Sequence, residues 1–335
     1  MKSERKRFGR GLVVGKFCPL HRGHMLVIDT AIANCDEVIV LSYTKPEFDG
    51  CGKEVREGWL HALYPQVRSL VLGDGDPVNL PDNDPPDAVQ RDFVGWVCRE
   101  MLGCEVDAVF TSEGYGDGFA ASLSAFFGRF VLHVCVDKAR SLVPISGTAI
   151  RADPYASRSF VAPVVYASFV RRVAVLGGES SGKTTVTREL AERLKTSWVP
   201  EYGRERWVEK SGAMGYEDML HIAQQQVARE DVLVAHANRV LVCDTTPLTT
   251  LCYSLDMFGR ADRLLEALAE RPYDTILLCA PDFPFVQDGT RRDTEFRSMQ
   301  HNWYRNALDR KQIPYVVLTG PLEQRLEHAI SLLNH

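Results

Sequence analysis

Long apolar runs are missing from this chain. The best candidate, Phe160 to Val170, is eleven residues long and stops at Arg171 and Arg172, short of the roughly 18–20 needed to cross a bilayer. The basic start, Met1 to Arg10, lacks the apolar stretch of a signal peptide. An excess of cations is missing too, because 39 Lys and Arg face 44 Asp and Glu, a formal charge of −5. No general cationic field exists to hold nucleic acid or an anionic membrane. Any grip on phosphate must come from local sites, and neither nucleic acid nor membrane is an expected partner. None of the nine cysteines stands in a CxxC pair, and Cys98 and Cys104, the closest two, lie at a spacing no common zinc site uses. An odd count without an export signal points to reduced, buried thiols in the cytoplasm.

What is present is ordinary for a folded, soluble chain: 45% apolar and 25% charged residues. A disordered, collagen-like or coiled-coil protein is excluded. At roughly 150 residues per domain, 335 residues suggest two domains. Two short β-branched runs bounded by glycine, Gly11–Gly15 and Arg172–Gly177, read as buried parallel strands. A helical pattern follows each, at His24–Cys35 and Lys183–Thr196. Further strands are expected at 37–42, 67–72, 108–111, 129–136, 197–199, 240–244, 275–279 and 315–318. Helices are expected between them, among others at 216–237 and 262–270. The alternation predicts α/β architecture in both halves. Asp153-Pro154 and Ala162-Pro163 place the domain boundary between Arg151 and Arg171. The Pro- and Asp-rich stretch 73–87 reads as a long loop, a lid or a disordered insert.

The second half carries Gly177-Gly178-Glu179-Ser180-Ser181-Gly182-Lys183-Thr184, a full match to G-x-x-x-x-G-K-[ST] between a predicted strand and a predicted helix. The glycines let consecutive N–H groups turn inward around phosphate, and the helix adds its positive end. Lys183 is expected to reach the β- and γ-phosphates and Thr184 to offer its hydroxyl to Mg²⁺. The strand Val240–Asp244 ends in a carboxylate, the position that commonly holds Mg²⁺ in such enzymes. Arg291 and Arg292 fall in a flexible-looking basic stretch suited to closing over a transferring phosphate. Glu201 follows a strand end, where ligands of doubly wound sheets bind, so it is a candidate to orient or deprotonate a hydroxyl.

The first half carries His21 and His24 in an HxGH element just after its first strand. Two histidines at this spacing suit a metal or a buried structural pair, but no third ligand is evident. The flanking Gly-x-Phe-x-Pro turn favours a third role, in which imidazoles and a helix N-terminus face a polyphosphate. Ser146, Thr148 and Arg151 form a second phosphate-binding element at another predicted helix start. Together with the histidines they would surround a triphosphate.

These residues resemble the nucleotidyltransferase superfamily signature, (H/T)xGH followed by ISxTxxR. The fusion to a phosphate-loop half, from about residue 10 to 330, resembles the bifunctional nicotinamide-nucleotide adenylyltransferase / ribosylnicotinamide kinase family, the NadR type. The matching stretches are GKFCPLHRGH, FTSEGYG, Asp137 with Arg140, SGTAIR, VAVLGGESSGKTT, EYGRE, CDTT and DGTR. The resemblance implies two doubly wound parallel-sheet domains: a basic tail 1–10, then a Rossmann-like adenylyltransferase domain 11–165 and a P-loop kinase domain 170–335. It implies that the kinase makes the mononucleotide NMN from ribosylnicotinamide and ATP, and that the adenylyltransferase joins NMN to a second ATP's AMP, giving NAD and pyrophosphate. It implies Mg²⁺ as cofactor and a cytoplasmic enzyme, compatible with a homo-oligomer, whose partners are these small molecules.

The catalytic residues implied are His21, His24, Arg151, Lys183, Glu201 and Asp244. For adenylyl transfer the binding residues are Gly15, Lys16, Phe17, Cys18, Thr111, Ser112, Glu113, Asp137, Arg140, Ser146, Gly147 and Thr148. For the kinase they are Gly177 to Gly182, Thr184, Thr185, Tyr202, Gly203, Arg204, Thr245, Thr246, Asp288, Arg291 and Arg292, with Thr184 and Asp244 toward the metal. Glu201 is the first choice as kinase base and Asp244 the second. Relatives often carry a second acid where this chain has Gln287, and Lys45 to Gly58 lacks clear matches, which leaves the nicotinamide pocket unassigned. With about ten residues before the first strand, no DNA-binding domain is expected. A bifunctional coenzyme A synthase has a similar fusion, but EYGRE and DGTR point away from it. A slow NAD- and ATP-sensing regulator is the alternative of another class, against which Lys183, Thr184, His21 and His24 weigh.

Overall fold

In the computed structural model, residues 6–287 and 292–333 are described. They divide into two compact units, one ending at Phe169 and the other starting at Val170. The first unit runs β1 (Phe8–Gly15), α1 (Arg22–Asn34), β2 (Cys35–Tyr43), α2 (Lys53–Leu63), β3 (Arg68–Leu72), α3 (Asp87–Trp96), β4 (Ala108–Thr111), α4 (Gly116–Phe127), β5 (Leu132–Cys135), α5 (Gly147–Ala152) and α6 (Pro163–Ala167). The second runs β6 (Arg171–Gly177), α7 (Lys183–Arg193), β7 (Trp198–Val199), α8 (Tyr202–Glu209), α9 (Tyr216–Leu233), β8 (Val240–Asp244), α10 (Pro247–Phe258), α11 (Arg263–Leu268), β9 (Thr275–Cys279), α12 (Thr294–Arg310), β10 (Val316–Leu318) and α13 (Leu322–Leu333).

Each unit is the expected doubly wound α/β fold. The strand orders are β3-β2-β1-β4-β5 and β10-β9-β6-β8-β7, and every strand pair is parallel. Parallel strands are covered by helices on both faces, which is why β8, Val-Leu-Val-Cys-Asp, is buried along its whole length. In each sheet the first strand lies centrally and the chain leaves it toward opposite edges. The resulting switch point opens a crevice at the strands' carboxyl ends. Gly11 permits the closest approach in the first sheet, since a Cβ there would meet Cys35 Sγ at 2.5 Å.

Three sequence expectations change. The strand expected to start at Gly11 starts at Phe8, so residues 8–10 are sheet rather than tail. Phe8 packs edge-on against Phe110, and Arg10 donates to Glu37 Oε2 at 2.6 Å and to the Glu105 carbonyl at 2.9 Å. The 73–87 stretch is irregular up to Pro86 but not a loose insert. Leu80 is buried in the core, and Asp76 accepts from Gly73 N and pairs with Lys53 at 2.6 Å. The expected strand 129–136 shortens to Leu132–Cys135, and Cys135 is exposed while seven other cysteines are buried. Among the described residues no group of His, Cys, Asp and Glu could hold a metal as a cluster of three, and no helix is long and apolar enough to cross a membrane.

Two glycines separate conformational preference from crowding. Gly58 lies inside α2 with nothing within 4 Å of a built Cβ, whereas a Cβ on Gly178 would sit 2.4 Å from the Arg297 carbonyl. Gly58→Ala should stabilise the first unit by about 0.5–1 kcal/mol. Gly178→Ala should destabilise the second by about 1–3 kcal/mol. Chemical denaturation of the two variants checks both signs.

Candidate active sites

The chain's turn out of β1 creates the first site. Gly15 ends the strand, the 16–20 segment turns, and His21 caps α1 with its Nδ1 accepting the Gly23 N–H at 3.1 Å. The His21 N–H donates in turn to His24 Nδ1 at 3.4 Å. With both Nδ1 atoms accepting, a neutral ring carries its proton on Nε2. The two imidazoles stack at 3.7 Å between centroids, and Phe17 packs edge-on against His24. Burial, reinforced by the Arg140 cation, lowers His21 to about 4. Burial lowers His24 far below its usual value, with His21 and Arg140 adding to the effect. Near neutrality, therefore, these are uncharged donors.

A second turn closes over the first. Ser146 caps α5 by accepting from Ala149 N, and Arg151 of that helix donates to the Cys18 carbonyl and to Thr148 Oγ1. Gly147 is needed for the approach, since a Cβ would lie 3.0 Å from the Cys18 carbonyl. The cavity between the turns measures about 360 Å³ and is lined by Gly15, Lys16, Phe17, Cys18, His21, His24, Thr111, Ser112, Glu113, Asp137, Arg140, Ser146, Gly147, Thr148 and Arg151. Every candidate from the first half thus meets in one place. Asp137 is a partial exception in kind, because its carboxylate accepts from Ser141 N, Ser141 Oγ, Leu142 N and Val143 N. Desolvation opposes its ionisation, but these donors outweigh it and hold the carboxyl below its usual range. It staples the loop that carries Arg140. Arg140 itself pairs with Glu113 at 3.0 Å.

Sequence reasoning missed Phe48, Tyr115 and Ile145 on the cavity wall and the support behind Thr111. Its hydroxyl meets His133 Nε2 at 2.9 Å, and His133 Nδ1 meets Asp117 at 2.7 Å.

The second site grows from the turn after β6. Gly177 and Gly182 have φ of +148° and +80°, conformations that favour glycine. Gly182 begins α7, and the Lys183 ammonium folds back onto the Gly178 carbonyl at 3.0 Å. Ser181 Oγ also donates to that carbonyl. Buried Arg325 of α13 donates to the carbonyls of Ser181, Gly320 and Ala280 and pairs with Asp282. Glu179 is buried, accepting from Tyr253 Oη at 2.8 Å and Arg292 N at 2.6 Å. Thr184 Oγ1 donates to Asp244 Oδ2 at 2.6 Å. Asp244 is 1% exposed and its Oδ1 has no partner. Burial, then repulsion from Glu201, raises its carboxyl to about 6.

A cavity of about 590 Å³ opens beside this turn. Of the candidates, Glu179, Ser180, Lys183, Glu201, Gly203, Arg204, Thr245 and Arg292 line it. Gly177, Gly178, Ser181, Gly182, Thr184 and Asp244 form the turn and its floor. Three candidates lie elsewhere. Thr185 points to solvent from the first turn of α7. Tyr202 is buried with Met219, Ile222 and Leu265, its hydroxyl 3.1 Å from His221 Nε2, and Thr246 caps α10 by accepting from Leu248 N. Asp288 and Arg291 lie outside the described residues. The remaining wall was missed: Trp207 on α8, Met214 before α9, Met219, Ile222 and Gln226 on α9, Thr249, Thr250, Tyr253, Asp256 and Met257 on α10, and Gln300 on α12. Within α9 and α10 the spacings of three, four and seven are a helical stripe, a pattern that equally describes core.

Two crevices at parallel-strand ends, each floored by a phosphate-fitting turn, define a nucleotide-handling α/β protein with a P-loop unit. Residues 172–325 match the family described as AAA domain. The chain is 29% identical over 300 residues to the trifunctional NAD biosynthesis/regulator protein NadR of Salmonella typhimurium strain LT2, spanning 86% of this chain and 72% of that protein. The Escherichia coli strain K12 protein of the same name is 29% identical over 297 residues, 84% of this chain and 71% of its own. The fold matches a crystal structure of NadR in complex with NAD and AMP-PNP with a TM-score of 0.70 at 21% identity, over 99% of this chain and 97% of the other. A NadR structure in complex with NR gives 0.72 at 22%, with the same coverage. The chain is thus similar to NadR proteins over most of its length.

The buried histidines carry a pH dependence of stability. Unfolded histidine protonates near 6.5, whereas folded His21 does so only at about 4. Between those values the unfolded state binds more protons, so stability must fall as pH falls. Melting of the first unit should drop from pH 6.5 toward 4, and replacing both histidines by asparagine should flatten that slope.

Proposed function

We propose that the first unit is a nicotinamide-mononucleotide adenylyltransferase and the second a ribosylnicotinamide kinase, serving NAD biosynthesis in one chain. The observation that supports this reading is two cavities at strand-to-helix turns whose lining differs in chemistry. One is uncharged at its histidines; the other is built on a lysine and a buried carboxylate.

The chemistry divides the same way. In adenylyl transfer the nucleophile is the phosphate of NMN, ionised at neutral pH, which attacks the α-phosphorus of ATP as pyrophosphate leaves. No base is required. Neutral imidazoles suit this reaction, because their Nε2–H donors meet developing oxyanion charge while lacking the second, acidic proton of an imidazolium. Arg151, Lys16 and Arg140 supply the positive charge for the departing pyrophosphate. Positioning contributes the rest.

In the kinase step the 5′-hydroxyl of ribosylnicotinamide attacks the γ-phosphorus of ATP, ADP leaves, and the hydroxyl proton must go elsewhere. Glu201 lines the cavity beside Lys183 and caps α8 without spending its carboxylate on the helix, so it takes that proton. Asp244 lies beneath, tied to Thr184. Its partnerless Oδ1 and the Thr184 hydroxyl form an oxygen donor set that fits Mg²⁺. When bound, Mg²⁺ would screen charge on the phosphates as transfer proceeds. Lys183 leaves the Gly178 carbonyl for the phosphate, and Arg292 stands on the cavity rim. The apolar wall of Trp207, Met219, Ile222 and Met257 matches a flat aromatic ring better than a sugar or a phosphate.

Lys183→Ala should lower phosphorylation of ribosylnicotinamide by about 10²–10³ and leave NAD formation from NMN intact, while His24→Ala should do the reverse. Separate assays of ADP release with the riboside and NAD release with the mononucleotide decide it. Loss of both activities in either folded variant would overturn the division of labour.

A further inference from the structure

The segment from Lys45 to Gly52 carries no phosphate-binding motif, yet it places an aromatic ring inside the first cavity. From this geometry we infer that Phe48 is a positioning residue for adenylyl transfer, a shelf that holds the Arg151 guanidinium in its working orientation. The inference rests on the assignment of adenylyl transfer to the first unit.

The guanidinium carbon of Arg151 lies 4.2 Å from the Phe48 ring centroid. One edge of the guanidinium is already fixed by the Cys18 carbonyl and another by Thr148 Oγ1 at 3.3 Å. The ring covers a face, so the group is constrained in plane and in tilt. Its remaining N–H donors are left for the ligand. An unrestrained arginine would surrender rotamer freedom on binding phosphate; held in advance, it surrenders less. Lys16, the other cation of this turn, has its ammonium 6.0 Å from the same ring.

A shelf must itself be rigid, and a second set of contacts makes it so. Arg56 of α2 is fully buried and clamps the segment. It donates to the Cys51 carbonyl at 2.9 Å, to Ser42 Oγ at 2.6 Å, to Glu47 Oε1 at 3.1 Å and to the Leu72 carbonyl at 2.9 Å. Cys51 N donates to the Phe48 carbonyl at 2.9 Å and closes the turn. Ser42 in turn donates to the Lys16 carbonyl at 3.0 Å. The shelf and the histidine turn thus share one buried frame.

The test is a double-mutant cycle on the full chain, with thermal melting of each variant as the control for folding of the first unit and kinase activity of the same preparation as the control for active concentration. Phe48→Leu keeps apolar volume but removes the ring face. It should lower kcat for NAD formation about tenfold, with little change in KM for NMN and unchanged riboside phosphorylation. Phe48→Tyr should restore kcat. In an Arg151→Ala background, Phe48→Leu should cost nothing further. The inference is overturned if Phe48→Leu equals wild type, if its effect adds fully to that of Arg151→Ala, or if it raises KM for NMN at constant kcat, which would make the ring a platform for substrate. A wild-type chain that forms no NAD from NMN and ATP would overturn the functional reading as well; one that forms it while Phe48→Leu is silent overturns this inference alone.

Discussion

The first N–H groups of a helix have no partner inside that helix. Where a buried parallel strand turns directly into a helix, those donors and the positive end of the dipole face the same crevice. Both candidate sites are built on this constraint, after β1 and after β6. They satisfy it differently. In the first unit His21 caps the helix with its own ring and thereby fixes its tautomer. In the second, Gly182 opens α7 in a left-handed conformation with no side-chain cap, leaving the backbone donors for a phosphate.

That difference propagates into electrostatics. A stack of two imidazoles buried beside Arg140 does not take up a second proton at neutral pH, so the first cavity takes its positive charge from Lys16, Arg140 and Arg151. The second cavity places Lys183 close to two carboxylates, Glu201 and Asp244. Burial and mutual repulsion then push Asp244 up to about 6. A buried carboxylate with one unsatisfied oxygen is costly unless something positive meets it. A cation-binding role is the simplest account of that cost.

Most of the two turns proposed to hold phosphate was legible in the sequence, because such turns are short and contiguous: glycine, histidine and hydroxyl spacing follows from the local geometry of one loop. The walls were not. Phe48 follows β2 and Arg151 lies in α5 beyond β5, so the two meet only in the folded sheet, and Trp207, Met219 and Met257 are ordinary helix-face residues until three helices meet. Local pattern also misled in the other direction. Tyr202 and Thr246 sit next to site motifs, but one is spent on the core and the other on a helix cap. Asp137 belongs to its cavity as a loop staple, using its oxygens on backbone donors. Phe8 to Arg10 looked like tail because charge hid a strand whose partners, Glu37 and Asp107, lie far along the chain.

One polypeptide is proposed to hold two ATP cradles of separate construction. Calorimetric titration of the full chain with a non-hydrolysable ATP analogue measures this most directly. Two molecules bound per chain is the expected stoichiometry, whatever the two affinities; a single molecule per chain at saturation would contradict it.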